Sequence, residues 1–137
     1  MPPSTIIQSA AESQQTIDNE HLVQLGLVDA VVESVRNGES EANVAQLLGQ
    51  FVDYTELHFM SEQVLMRHHA YPDYDEHVTG HDTIIKRLHQ LHDEFNADSA
   101  TLTTERALQL KGELMNHIRN RDAALHAYID RQRDGNH

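Results

Sequence analysis

The side chains best placed to do chemistry in this sequence are histidines and carboxylates set four residues apart. His58 and Glu62 form one such pair and His77 and His81 a second, with Tyr71-Pro72 between them. Residues four apart on a helix lie one above the other on the same face, so each pair can aim two donor atoms at one point. Because the residue before a proline disfavours helical dihedrals, Tyr71-Pro72 marks a break between two helices. Two helices joined by so tight a turn can share one metal site. The sequence contains no cysteine, which excludes thiolate ligation and disulfides; a set of imidazoles and carboxylates suits iron, manganese or zinc better than copper(I).

Composition narrows the setting. A chain of 137 residues makes one domain with one core. The formal charge of −12 repels the phosphates of nucleic acid and anionic membrane surfaces, so no nucleic acid and no membrane is expected as a partner. From Met1 to Gln15 there is no basic region and only Ile6-Ile7 as an apolar run, a pattern that fits neither a signal peptide nor a membrane span. A cytoplasmic protein is the expectation. Tryptophan is absent, and proline occurs only at Pro2, Pro3 and Pro72, which favours helix over sheet.

The elements that must position these residues follow from apolar spacing. Residues 1–15 lack a sustained period and read as a flexible N-terminal arm. The first helix is predicted from a cap at Asp18 to Asn37, with Gly38 just past its end. Its stripe is Leu25, Val28, Val32 and Val35, which extends back to His21. The second helix opens near Ser40 and ends at His69 or Ala70, with Val44, Leu47, Phe51, Tyr54, His58, Glu62 and Leu65 in line. Asp73 can cap the third, whose stripe is His77, His81, Ile84, Leu88, Leu91 and Phe95. After Asp98-Ser99-Ala100, a fourth helix is capped by Thr101, Thr103 or Thr104 and carries Leu110, Leu114, His117, Leu125 and Tyr128, with Asp122 nearby. Short connections make sequential helices antiparallel neighbours, so the predicted fold is all-α, an antiparallel up-down-up-down four-helix bundle over residues 16–131. Residues 132–137 then form a tail or the start of a linker to a further domain.

Each helix thus carries polar residues on its inward stripe: His21; His58 and Glu62; His77 and His81; His117 and Asp122. Burying them unpartnered would cost a few kcal/mol each, so they must satisfy one another or bind something. An isolated core histidine is ordinarily a hydrogen-bonded structural residue, but one motif repeated in register on several helices points to a metal centre. Seven donors suit two metals better than one, with the carboxylates as bridges. His68, His69, His89, His92, His126 and His137 fall off this register and read as surface residues. His117 and Asp122 are five apart, about 140° around an ideal helix, so either Asp122 reaches in from the flank or a π-bulge brings it round. Gly112, costly within a helix, is expected to permit close helix approach near the site.

The order His21, His58-Phe-x-x-Glu62, Tyr71-Pro72, His77-x-x-x-His81 and His117-Ile118-x-x-x-Asp122 resembles the bacterial hemerythrins. The flanking words Ile17-Asp18-x-x-His21, Tyr54-Thr55-x-x-His58-Phe59 and Leu65-Met66 match as well, and the likeness covers roughly residues 16 to 130. It implies a non-haem di-iron centre, Fe2+ or Fe3+, that binds O₂ reversibly. By the family pattern His77, His81 and His117 would hold one iron and His21 and His58 the other. Glu62 and Asp122 would bridge them together with an oxo or hydroxo group, and O₂ would enter at the iron with two histidines.

One departure bears on function. The family usually carries a tryptophan four residues before the fourth-helix histidine, where this chain has Glu113. With Leu25, Phe59 and Leu114 as the expected apolar wall of the O₂ pocket, Glu113 would make that pocket wetter or open a path to solvent, and oxidation to the diferric form would be faster. The fourth helix also runs into Asp130–His137 without a firm stop, which suits an O₂- or redox-sensing module attached to a C-terminal signalling domain such as a diguanylate cyclase or chemoreceptor. Stand-alone O₂ storage, delivery or scavenging is the alternative. A di-iron oxidase is disfavoured, since such bundles use Glu-x-x-His pairs and none occurs here; the protein is not expected to be an enzyme.

Overall fold

The computed structural model describes the backbone of residues 10–135 and the side chains of residues 18–132. Within them the chain is all-helical: α1 (Ala10–Arg36), α2 (Glu41–His68), α3 (Tyr74–Ala97), a 3-10 turn (Ser99–Thr101), α4 (Thr104–His117), a π-helical turn (Ile118–Asp122) and α5 (Ala123–Gly135). α1 packs against α2 and α4, and α3 packs against α2 and α4, so the helices close a ring around one core.

Local chemistry sets most of the boundaries. Ser40 caps α2 by accepting from Asn43 N–H, and Thr103, of the three candidate threonines, caps α4 by accepting from Arg106 N–H. α1 ends on Gly38 at φ 65°, with Glu39 N–H bonded back to Ser34 C=O at 3.0 Å, the left-handed exit that glycine takes without a Cβ penalty. α2 ends at His68, where Ala70 adopts φ 49° and Tyr71 N–H returns to Met66 C=O at 2.9 Å. Asp73 precedes α3 without a side-chain capping bond, whereas Asp98 caps the 3-10 turn. The start of α1 differs from expectation. The helix extends back to Ala10, so Asp18 lies inside it and residues 10–15 of the expected N-terminal arm are helical; residues 1–9 fall outside the described residues.

The predicted stripes face inward and are wider than one row of residues. Val31 on α1, Leu48, Val52 and Met66 on α2, Ala107 on α4 and Ile129 on α5 are buried beside the expected positions, as helices packed on two sides require. The buried apolar residues fall into two clusters. The larger centres on Val28, Leu48, Phe51, Leu88, Phe95 and Leu110; the smaller comprises Leu65, Met66, Tyr71, Leu125 and Ile129. Along α2, α3 and the α4–α5 helix, the histidines and carboxylates lie between residues of the two clusters. The polar layer is thereby closed off by apolar packing above and below. No helix among the described residues is long and apolar enough to cross a membrane.

Candidate metal centre

All seven of the sequence-predicted donors meet in this layer. Two overlapping groups form, one of Glu62, His77, His81, His117 and Asp122 and the other of His21, His58, Glu62 and Asp122, with one donor atom from each residue lying within 4.8 Å of the others. Glu62 and Asp122 belong to both. Their two oxygens divide between the groups. Glu62 Oε1 lies 2.6 Å from His77 Nε2 and 2.7 Å from His81 Nε2, while Oε2 faces His21 and His58 Nε2 at 3.7 and 3.6 Å. Asp122 Oδ1 lies 3.0 Å from His77 Nε2 and 3.1 Å from His117 Nε2, while Oδ2 is 2.8 Å from His21 Nε2.

Asp122 reaches this position through the backbone. Ile118–Asp122 is a π-helical turn, and its i→i+5 closure stacks residue 122 under residue 117 where an α-helix would turn it about 140° away. Of the two routes expected for Asp122, the helix distortion is the one present. The His117 ring lies against α3 at Gly80, where a Cβ would stand 3.5 Å from Nδ1, an ordinary contact. Gly112, expected to allow close approach, has nothing within 4 Å of its would-be Cβ; it lies on the exposed side of α4.

Outer partners orient the rings. His58 Nδ1–H donates to Glu20 Oε1 at 2.8 Å, and His81 Nδ1 lies 3.3 Å from the Gln63 amide, which can present either end. Such contacts fix which ring nitrogen faces the centre and raise its basicity. Phe59 stacks on His81 with centroids 3.8 Å apart and planes 6° from parallel. His126, expected at the surface, stacks on His21 at 5.9 Å, its Nδ1 3.4 Å from Asp18. His69 is likewise half-buried, with Nδ1 3.0 Å from Gln132 Oε1. Neither spacing matches the ligand register, so neither was visible from it. His68 and His89 are exposed as expected, while His92 is half-buried. His137 lies outside the described residues.

Charge and burial oppose each other here. Burial disfavours the charged form of His21, but Asp122 and Glu62 outweigh it and raise the pKa to about 9; His77 reaches about 9 for the same reasons. Burial works against the Asp122 carboxylate too, yet the close imidazoles of His117, His21 and His77 hold it at about 2, and Glu62 is likewise held well below the ordinary range. For His81, burial wins and lowers the pKa. Even so, Nε2 of His21, His58 and His117, Glu62 Oε2 and both Asp122 oxygens are buried with no hydrogen-bond partner of good geometry among the described residues. Six convergent orphan atoms are what a ligand set presents, not what a self-satisfied core presents.

Known proteins agree. Residues 13–129 match the hemerythrin HHE cation binding domain. The chain belongs to the hemerythrin family. It is 31% identical over 116 residues to a bacteriohemerythrin of Pseudomonas paraeruginosa, spanning 85% of this chain and 72% of that one. It is 34% identical over 106 residues to hemerythrin subunit 1 of Golfingia vulgaris (77% and 75%), and 25% identical over 101 residues to a bacteriohemerythrin of Methylococcus capsulatus (74% and 76%). No solved structure matches significantly.

A hemerythrin domain binds a di-iron centre, and the donors present fit it: nitrogen and oxygen only, buried, and divided into two groups that share two carboxylates. The expected pocket residues are placed less uniformly. Phe59 and Leu114 are buried and Leu25 is half-buried. The Glu113 carboxylate pairs with Arg87 on α3 at the surface, where a guanidinium is within reach on the neighbouring helix. Glu113 also lines one surface cavity together with His117.

Proposed function

We propose that this hemerythrin binds O₂ reversibly at two iron ions and serves as an O₂- or redox-responsive module in the cytoplasm. The observation that carries the binding reading is the division of the Glu62 and Asp122 oxygens between two histidine groups. On this reading His77, His81 and His117 would hold one iron and His21 and His58 the other, with Glu62 and Asp122 shared between the two groups. The half with two histidines has fewer protein donors, which leaves room there for O₂. Iron, when bound, supplies the electrons that make O₂ binding strong and reversible. The chain's own part is to fix the donors, through Glu20 on His58 and Gln63 near His81, and to exclude water with Phe59 and Leu114.

The short connections and ring of helix contacts support an antiparallel up-down-up-down course for the four-helix bundle. The unbroken passage from α4 through the π turn into α5 supports sensing, because any shift of Asp122 is handed directly to the C-terminal helix. An attached output domain, such as a diguanylate cyclase or chemoreceptor, would read it there. Storage, delivery or scavenging is the second reading, favoured by the apolar Phe59 and Leu114 buried beside the donors. The histidine-rich donor set favours binding O₂ over activating it, so the protein is read as a binding module and not an enzyme.

The test is to load iron, reduce the protein anaerobically, admit air and then remove O₂ while following the visible spectrum. A coloured band that appears with O₂ and disappears without it is the expected result. Decay of that band to the diferric form within minutes supports sensing, and persistence for hours supports storage. Absence of any O₂-dependent band overturns the binding reading.

A further inference from the structure

One buried polar pair beside the centre has no part in holding metal. Gln24 follows His21 by three residues on α1, and Thr55 precedes His58 by three on α2, so each lies one helical turn from a histidine of the two-histidine half. Both are fully buried, at 0% exposure. Gln24 Nε2 donates to Thr55 Oγ1 at 3.0 Å, while Gln24 Oε1 is buried without a hydrogen-bond partner among the described residues. One turn further from the centre come Val28 and Phe51, both completely buried. The pair thus stands between the metal layer and the apolar core.

Leaving an amide oxygen buried and unpaired forfeits its hydration without replacement, and a leucine would fill the position without that cost. Apart from Ser34, which bonds its own helix at Val31 C=O, every other buried polar side chain among the described residues belongs to the metal layer. Polar contact for the free end of the amide must therefore come from that layer or from something bound there.

We propose that Gln24, held by Thr55, is the hydrogen-bonding partner of a small ligand taken up at the two-histidine half of the centre, and favours ligands with a terminal lone pair or an O–H group, small anions above all. This inference rests on the di-iron reading. As placed, the amide offers an oxygen to a protonated ligand. Turned over, it offers N–H to an anion, and the Thr55 hydroxyl can accept or donate to suit either orientation. The pocket is then two-faced, apolar at Phe59 and Leu114 and polar at Gln24.

The test uses azide as the probe, titrated into the iron-loaded diferric protein and into Gln24→Leu and Thr55→Val, with iron content and metal-free melting measured in parallel. Gln24→Leu is expected to weaken azide binding about tenfold, the loss of one hydrogen bond to a charged ligand. Thr55→Val should weaken it less but in the same direction. Iron content should stay at the parent level, and metal-free Gln24→Leu should melt no lower than the parent. Azide affinity of iron-loaded Gln24→Leu within about twofold of the parent, less than one such bond is worth, overturns the inference. If Gln24→Leu takes up no iron, Thr55→Val decides, and an unchanged azide affinity there overturns it equally. A parent protein that loads no iron, or loads iron and binds no azide, instead defeats the di-iron reading beneath it.

Discussion

Glu20 is the smallest lever on the centre. Its carboxylate accepts from His58 Nδ1–H at 2.8 Å, which directs Nε2 inward, and substitutions of such outer partners commonly lower metal affinity. Glu20→Ala is expected to weaken iron binding about 10- to 100-fold, with Glu20→Gln, which keeps an acceptor, closer to the parent. Competition against a chelator measures this, and an Ala variant with parental affinity would mean that His58 is oriented by packing alone. Glu20 was not legible in the sequence, where a glutamate beside His21 reads as a solvated neighbour. The seven donors were legible because they recur on four helices in register with apolar stripes. Gln24 and Thr55 were not, since an amide or hydroxyl gives no apolar signal; the apolar spacing runs instead through Leu25, which is only half-buried. The pairing of Glu113 is not legible because spacing along one helix carries no information about Arg87 on another.

At the scale of elements, the π turn is the feature on which the site depends. A π turn amounts to one extra residue in an α-helix, and here it brings Asp122 under His117 while α5 keeps Leu125 and Ile129 in the core. Inserting an alanine after the exposed Asn120 would rotate all that follows by about 100°. That variant is expected to lose iron and to melt far below the parent. Deleting Asn120 converts the turn to regular helix and keeps the register of α5, so its melting temperature should stay near that of the parent. Circular dichroism and iron content check both, and a stable insertion variant that holds iron would show that α5 is not locked in register. The sequence exposed this feature as a conflict, a spacing of five where four or three is needed, without saying how the chain resolves it. Caps at Ser40 and Thr103 and the glycine exit at Gly38 were readable because their chemistry is local. The start of α1 was not, because Asp18 is a good cap by type, yet the helix continues through it to Ala10.

For the whole molecule, the metal layer ties stability to pH. In the metal-free protein His21 and His77 have pKa values raised from 6.5 to about 9. Their contribution is complete below pH 6.5 and is lost as pH rises towards 9. Glu62 and Asp122 are depressed, so theirs is present above the ordinary carboxylate range and is lost as pH falls, for Asp122 towards about 2. His81, lowered by burial, opposes the other two histidines in part. The metal-free protein is thus expected to lose stability from pH 6.5 to 9 in chemical denaturation, whereas the iron-loaded protein, whose ligands bind metal as neutral imidazoles, should hold or gain it over the same range. Parallel slopes would mean that the histidines do not exchange protons for metal. The most direct test of the centre itself is the iron content of the purified protein with its Mössbauer spectrum, taken after anaerobic reduction and again after exposure to air. Two iron ions per chain, coupled through a bridge once oxidised, is the predicted result. A single iron, or another metal filling the site in iron-replete cells, would contradict it.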